Sequence, residues 1–532
     1  MLITRHLMTV SVGAVLALAW GVSTTAQTAS PPRSKLEKLS QAEHRTPEIV
    51  QKEPQSSPPA SETIPQLEQI EPSQPAAPQK DEPAPENLNP SGNPLTFPTE
   101  PEEVQIKTTQ PITLNQAIEL ALRNNKDLQG ARLALERRQA ELDEARSALL
   151  PSLGTEVEFN RQGQLNSQEV RVNVFSNETE VQEEFGESSN VRGNVQLSYD
   201  IYTGGRRGAQ IERADREVKL SKLDLERIAE GVRFEATDRY YLLQNADAQV
   251  AIAQAAVEDA TQSLRDAQLL EQAGLGTRFD TLRAEVDLAR ANQGLTRSIS
   301  EQRTARRRLA EVLSVGQQVG LTAADEIQEA GRWELSLEDS IVLAYKNRAE
   351  LEQQLVQREI SERDRTIALA DIKPQVDFFA QYNFRNNFDD AFDVSEGYAV
   401  GARMNWTLFD GGSAFARARQ ADRNIDLAET EFARQRNTIR LQVEEAYYNL
   451  VSNQENIETT RLNVQRAEES LRLARLRFQA GVGTQTDVIN SQRDLTDARS
   501  QFLQAIIGYN QSLNALQRAV SNLPDNRLFE LR

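Results

Sequence analysis

The sequence predicts a mainly α-helical chain carrying membrane β-strands and built as an internal two-fold repeat. Two observations predict it: motifs that occur twice in the same order, and four segments of alternating polarity joined to long helical runs. Pro151 recurs as Pro374, and Tyr202-Thr203-Gly204-Gly205 as Phe409-Asp410-Gly411-Gly412. Tyr240-Tyr241 recurs as Tyr447-Tyr448, and Ala273-Gly274-Leu275-Gly276-Thr277 as Ala480-Gly481-Val482-Gly483-Thr484. The last three pairs share one offset and the prolines a longer one. The length difference is therefore expected between the two strands, where a loop can vary. The first repeat is expected over 112–313 and the second over 335–520, with a linker at 314–334 and a tail at 521–532.

The chain opens with Arg5 and His6 ahead of an apolar stretch from Leu7 to Trp20. That stretch is shorter than the roughly 20 residues a spanning helix needs. Thr24-Thr25-Ala26 supplies small residues for cleavage before Gln27, so 1–26 reads as a secretory signal peptide. No cysteine follows to take a lipid. Residues 27–111 are rich in Pro, Gln, Glu and Ser, and of the 20 prolines only Pro151, Pro374 and Pro524 lie beyond them. Such a segment buries too little apolar area to offset its ordering entropy and is expected to be a disordered periplasmic linker.

Composition narrows the function. With 39% apolar and 6% aromatic residues, the 532-residue chain is thin for a large globular core, and an extended helical assembly fits better. A net charge of −19 speaks against nucleic acid, whose phosphates need a basic face. Both histidines, His6 and His44, precede the repeats. The body thus offers no Cys nucleophile, His base or usual zinc cluster, and no enzyme activity, cofactor or metal site is expected.

Within each repeat a helix ends at the proline, two strands follow, a Gly-Gly pair turns the chain, and a very long helix begins. From Arg206 to Leu270 no proline interrupts a run that would reach roughly 100 Å at about 1.5 Å per residue. One apolar stripe includes Ile211, Ala214, Val218, Leu225, Ile228 and Val232; a second includes Ala236, Tyr240, Leu243, Val250, Val257 and Leu264. Spacings of three, four and seven indicate coiled-coil packing, and two stripes indicate neighbours on both sides. Each long helix turns back at a glycine pair, Gly274 with Gly276 or Gly481 with Gly483, as C-cap chemistry requires. The next helix opens with Thr277 and Asp280, or Thr484 and Asp487, close to a capping box.

Around the prolines the period changes to 2. Val195, Leu197, Tyr199 and Ile201 alternate with polar residues, as do Val157 with Phe159 and Val400, Ala402, Met404, Trp406 and Leu408. Val376, Phe378, Ala380, Tyr382 and Phe384 alternate likewise, with Phe379 an exception. Segments of about ten residues, apolar outward and polar inward, suit tilted barrel strands. Four strands cannot close a barrel, and an open edge in lipid leaves backbone groups unpaired. Several copies must share one barrel. Two would give eight strands, filled by side chains, whereas three give twelve and a useful lumen. Gly204-Gly205 and Gly411-Gly412 then let a strand bend into a helix; no GxxxxGK[ST] follows that would make them nucleotide loops.

Over nearly all of Ile112 to Val520 these residues resemble the TolC family of outer-membrane efflux channels. The resemblance rests on the duplicated order, on Phe409-Asp410-Gly411-Gly412, and on Ala480-Gly481-Val482-Gly483-Thr484 followed by Asp487-Val488-Ile489-Asn490-Ser491-Gln492. It implies a homotrimer whose shared 12-stranded β-barrel sits in outer-membrane lipid and continues into a periplasmic coiled-coil barrel. It also implies a periplasmic adaptor protein and an inner-membrane ABC or RND-type transporter as partners, with efflux or type I secretion as the process. Acidic rings at the periplasmic mouth of some members map onto Asp487 and Asn490, of which only Asp487 is acidic. Gln485 stands where some members carry Arg, while Arg278, near Asp280, takes the equivalent place in the first repeat. Adaptor docking is expected at the tips, Gly274, Gly276 and Thr277 with Gly481, Gly483 and Thr484. The competing reading is a barrel-anchored coiled-coil structural or adhesive surface protein. That reading expects one barrel segment at a chain end, whereas here strands occur in both repeats.

Overall fold

The computed structural model describes residues 83–521 apart from 91, 94, 96, 172–178, 317 and 389–392, with backbone alone at 164–171, 179–188 and 393. The expected signal peptide, the linker up to residue 82 and the tail from 522 lie outside the described residues. The first half runs β1 (Thr108–Ile112), α1 (Leu114–Asn124), α2 (Lys126–Ser147), β2 (Ser152–Arg171), β3 (Thr179–Tyr202), α3 (Arg206–Gln272) and α4 (Arg278–Val312). The second runs β4 (Val319–Ala323), α5 (Leu337–Asn347), α6 (Ala349–Ala370), β5 (Gln375–Asn387), β6 (Asp393–Asn405), α7 (Ser413–Gln479) and α8 (Gln485–Val520). Two helices, two strands, one 67-residue helix and a shorter return helix therefore occur twice.

Local chemistry sets the short helices. Thr113 and Gln116 form a capping box that starts α1, and Asn125 accepts from the Asp127 and Leu128 amides to start α2. Arg348 separates α5 from α6 without capping α6; its guanidinium instead holds Glu350 and the Ala519 carbonyl, fixing the end of α8. Among the described residues no helix is long and apolar enough to cross a membrane.

The helices form a layer with α3 near its middle. Helices α2 and α4 pack on α3, as do α6 and α8, whereas α7 packs on α5, α6 and α8. The equivalent tyrosines report the consequence: Tyr241 on α3 is 6% exposed and Tyr448 on α7 is 60% exposed. Leu427, Leu441 and Leu473 also leave α7 with an uncovered apolar flank.

Strands β2, β3, β5 and β6 form one antiparallel sheet in that order, so β2 and β6 are its edges. The first hairpin is longer than expected from a loop insertion. Its strands have 20 and 24 residues against 13 and 13 in the second, so most of the extra length is laddered backbone.

Two features correct the expectation of plain linkers. The end of the Pro-rich segment is not a free tether: Ala84 and Leu88 are buried in the core formed with α1, α3 and α4. β1 and β4 pair in parallel, Thr108 with Val319 through Ile112 with Ala323, placing a strand in the expected inter-repeat linker. Burial of a few apolar side chains and pairing of otherwise unsatisfied amides overcome the local polarity of these segments. Asp325 then locks the linker, accepting from the Tyr240 hydroxyl at 2.7 Å and the Leu114 amide at 2.7 Å.

Candidate functional site

Three regions gather the residues singled out above: the strand–helix junctions, the helix tips and the two faces of the sheet. At the first junction α2 ends in turns from Leu149 to Arg146 and Leu150 to Ser147, and Pro151 starts the extended chain. Gly204 has φ +65°, and a Cβ there would lie 2.8 Å from Lys373 Cβ and 3.1 Å from the Ala370 oxygen. A side chain at 204 would push the first junction off the end of α6. Gly205 and Gly412 are the N-caps of α3 and α7. Beside Gly411, the Asp410 carboxylate accepts from the Ala414 amide at 2.6 Å and the Gly412 amide at 2.9 Å. Those bonds hold its carboxyl below the usual range. Asp371, close to Pro374, receives Arg206 from α3 and Arg417 from α7, so one carboxylate meets both long helices at their first turns.

Each tip uses its two glycines differently. Gly274 and Gly481 adopt φ of +73° and +72°, the left-handed closure of the long helix. Gly276 and Gly483 turn back against the helix end, their amides bonding the Leu270 and Arg477 oxygens; a Cβ would lie 3.0 Å from the Cβ of those residues. Thr277 with Asp280, and Thr484 with Asp487, complete reciprocal capping boxes. The Thr484 amide and hydroxyl hold the Asp487 carboxyl below the usual range, so it is ionised at neutral pH.

The proposed aperture residues do not form one cluster in the protomer. Asp487 and Asn490 are exposed, and Asp280 is half-buried within its cap. Arg278 lies 3.7 Å from Glu271 across its own tip. Gln485 is 1% exposed in the α3–α8 seam, its amide nitrogen donating to the Ser263 oxygen. Gln492 joins it there, donating to Ser263 Oγ at 2.8 Å. Sequence reasoning passed over Leu275 and Val482, which stand 80% and 70% exposed between the tip glycines. An apolar residue flanked by two glycines at a turn was the available signal. Asp371 and Asp325 carried none, since lone acidic residues reveal nothing of their distant partners.

The register sorts the sheet into two faces. Thr155, Val195, Tyr382 and Tyr398 align in one row and Leu153, Leu197, Ala380 and Val400 in the next. Leu153, Val157, Phe159, Tyr398 and Val400 are all more than 60% exposed in the protomer. The opposite face carries Glu156, Glu158, Arg192, Asn194, Asn383, Arg385 and Ser395 around a hollow of about 480 Å³. Phe379, the exception to alternation, lies on this polar face, over Gly401 and 5.2 Å from the Arg403 guanidinium.

Both repeats match the profile of the outer membrane efflux protein family, over residues 117–315 and 340–522. The chain belongs to the outer membrane efflux protein family. This family comprises outer-membrane channels of the TolC type, not enzymes. The outer membrane efflux protein BepC of Brucella suis is 27% identical over 197 residues, covering 36% of this chain and 41% of BepC. The cobalt-zinc-cadmium resistance protein CzcC of Cupriavidus metallidurans is 23% identical over 406 residues, covering 74% of this chain and 86% of CzcC. The crystal structure of the Campylobacter jejuni CmeC outer membrane channel shares the fold, with a TM-score of 0.64 at 18% identity over 82% of this chain and 94% of CmeC.

Proposed function

We propose that this efflux-family protein is the outer-membrane duct of a tripartite efflux or type I secretion system, passive and homotrimeric. The observation that carries this reading is the four-stranded sheet with two open edges, one apolar exposed face and one polar hollowed face. Three copies joined edge to edge, β6 to β2, close twelve strands around water and satisfy every edge amide. In the helical layer the uncovered flank of α7 receives the α2 and α4 flank of the next copy, covering Tyr448 as Tyr241 is covered within the chain. The helices then continue the bore into the periplasm, reached after removal of the signal peptide.

A periplasmic adaptor would grip the tips, where Leu275 and Val482 offer apolar contacts, and an inner-membrane ABC or RND-type transporter would supply the energy. Similarity to the cobalt-zinc-cadmium resistance protein CzcC makes metal cations one class of cargo to test. Around the three-fold axis the Asp487 carboxylates, kept ionised by their caps, would form a cation-sensitive ring at the mouth. Planar-bilayer recording of the purified protein tests the duct, with stepwise conductance expected; a protein that inserts without conducting would overturn it. Asp487→Ala is expected to weaken divalent block at the mouth, and unchanged block would reject the ring.

A further inference from the structure

The polar face of the sheet carries more than water-compatible side chains. Arg192 on β3 and Arg385 on β5 are register partners, so two guanidinium-bearing residues stand side by side on adjacent central strands. Directly opposed residues on an antiparallel pair have Cβ atoms about 5 Å apart, and like charges there repel. Glu158 on β2 is the register partner of Arg192, and Glu156 lies two residues nearer the junction. Among the described residues, no ion pair joins either arginine to either glutamate or to any other acid. All four line the hollow of about 480 Å³, with Asn194, Asn383 and Ser395 beside them.

The position along the strands is also defined. Glu158 lies roughly 23 Å along β2 from Pro151 at about 3.3 Å per residue, and its neighbours Val157 and Phe159 face the opposite, apolar side. The arginines therefore sit at a depth where the outer face is mostly apolar, with Val157, Phe159, Val191, Phe384 and Val394 beside Asn386 and the Tyr382-bonded Glu396, toward the far end of the band that meets lipid. Charge at such depth is retained where it lines water and meets a ligand or counter-ion. A guanidinium presents a planar fork that matches a carboxylate or phosphate edge, and two forks on neighbouring strands can engage one oxyanion from two sides.

We propose that Arg192 and Arg385 form an oxyanion-binding station within the barrel, where carboxylate- or phosphate-bearing cargo is held briefly on its way out. The proposal rests on the duct reading above and adds to it a chemical class of cargo. Repeated three times around the barrel, the arginine pairs are separated by Glu158 and Ser395, giving discrete stations rather than a uniform positive ring.

Single-channel recording with tripolyphosphate and with citrate, each added in turn to either compartment, tests it. The wild-type channel is expected to show concentration-dependent block, and the R192Q/R385Q pair to weaken that block at least tenfold, read relative to the variant's own open-channel current. Block by tripolyphosphate alone assigns phosphates as the ligand; block by citrate alone assigns carboxylates. If the glutamine pair fails to assemble, R192K/R385K, which keeps charge and loses the forks, is expected to weaken block several-fold. A conducting wild type that neither probe blocks, or block within twofold of wild type in the assembled variant, overturns the station while leaving the duct intact. Absence of any wild-type conductance overturns the duct reading and the station with it.

Discussion

Arg206, at the start of α3, forms an ion pair with Asp371, at the end of α6, and the two residues belong to different repeats. Arg417, in the first turns of α7, reaches the other oxygen of the same carboxylate at 2.6 Å. The strand-to-helix bends of both repeats are thus tied to one side chain, 22% exposed. Gly204, whose missing Cβ lets its backbone approach Ala370 and Lys373, sets the distance at which this contact forms.

Asp371→Asn should therefore loosen both bends together. Removing a half-buried carboxylate shared by two arginines is expected to cost about 1–3 kcal/mol. Chemical denaturation in detergent measures it, and a double-mutant cycle with Arg417→Gln should be less than additive. Additive losses would mean the two contacts act independently.

Substitution of the tip glycines is expected to separate export from assembly. A bulky side chain at Gly276 or Gly483 meets the preceding helix end at 3.0 Å before any strain elsewhere, so the tip must shift while the barrel and upper helices stay intact. Gly276→Leu and Gly483→Leu are expected to lose most export and keep normal trimer yield in cross-linking assays. Wild-type export in both would remove the tips from the docking account.

Glu230 gives a pH signature. It is 4% exposed, it meets Arg518 at 2.6 Å, and burial holds its carboxyl above the usual range although Ser521 and Arg518 pull it down. A carboxyl raised in the folded state contributes stability below its unfolded value of 4.5 and loses it as pH rises through the folded value. Glu350 works in the opposite sense: burial pushes its carboxyl up, but Arg348, its own backbone amide and Arg518 together hold it low. Comparing Glu230→Gln with wild type isolates the first group. The stability difference should move in favour of the variant between pH 4 and pH 7, and a parallel pair of pH profiles would contradict the assignment.

Val400 and Gln381 test which face meets lipid. Val400 is 64% exposed and lies in the apolar row, whereas Gln381 belongs to the other face of the neighbouring strand. Val400→Arg is expected to cost about 2–4 kcal/mol in a bilayer and to reduce outer-membrane assembly. Gln381→Arg should assemble normally. Equal tolerance at both positions would contradict a lipid-facing apolar side.

Particular residues show where sequence reading reached and where it stopped. The tips were legible because Thr277 and Asp280, or Thr484 and Asp487, act within four residues, and local hydrogen bonds follow from local spacing. Phe379 broke the alternation because a phenyl ring can cover a cross-strand glycine, Gly401, which lies outside its own strand's pattern. Gln485 looked like a neighbour of Asp487 at the mouth and is instead buried against Ser263, since a helix turns successive residues to different sides. β1 and β4 stayed hidden because five residues in a polar stretch become a strand only when a distant partner supplies the ladder.

The sequence by itself determined the repeated element order, the lengths of the long helices and the polarity of the strands, because periodicity and capping act over neighbouring residues. Only the tertiary structure decided which helices flank α3 and leave α7 bare, which way Gln485 turns, and that Asp371 gathers Arg206 and Arg417. Those outcomes depend on packing and charge pairing between segments tens to hundreds of residues apart, where no local spacing records the partner.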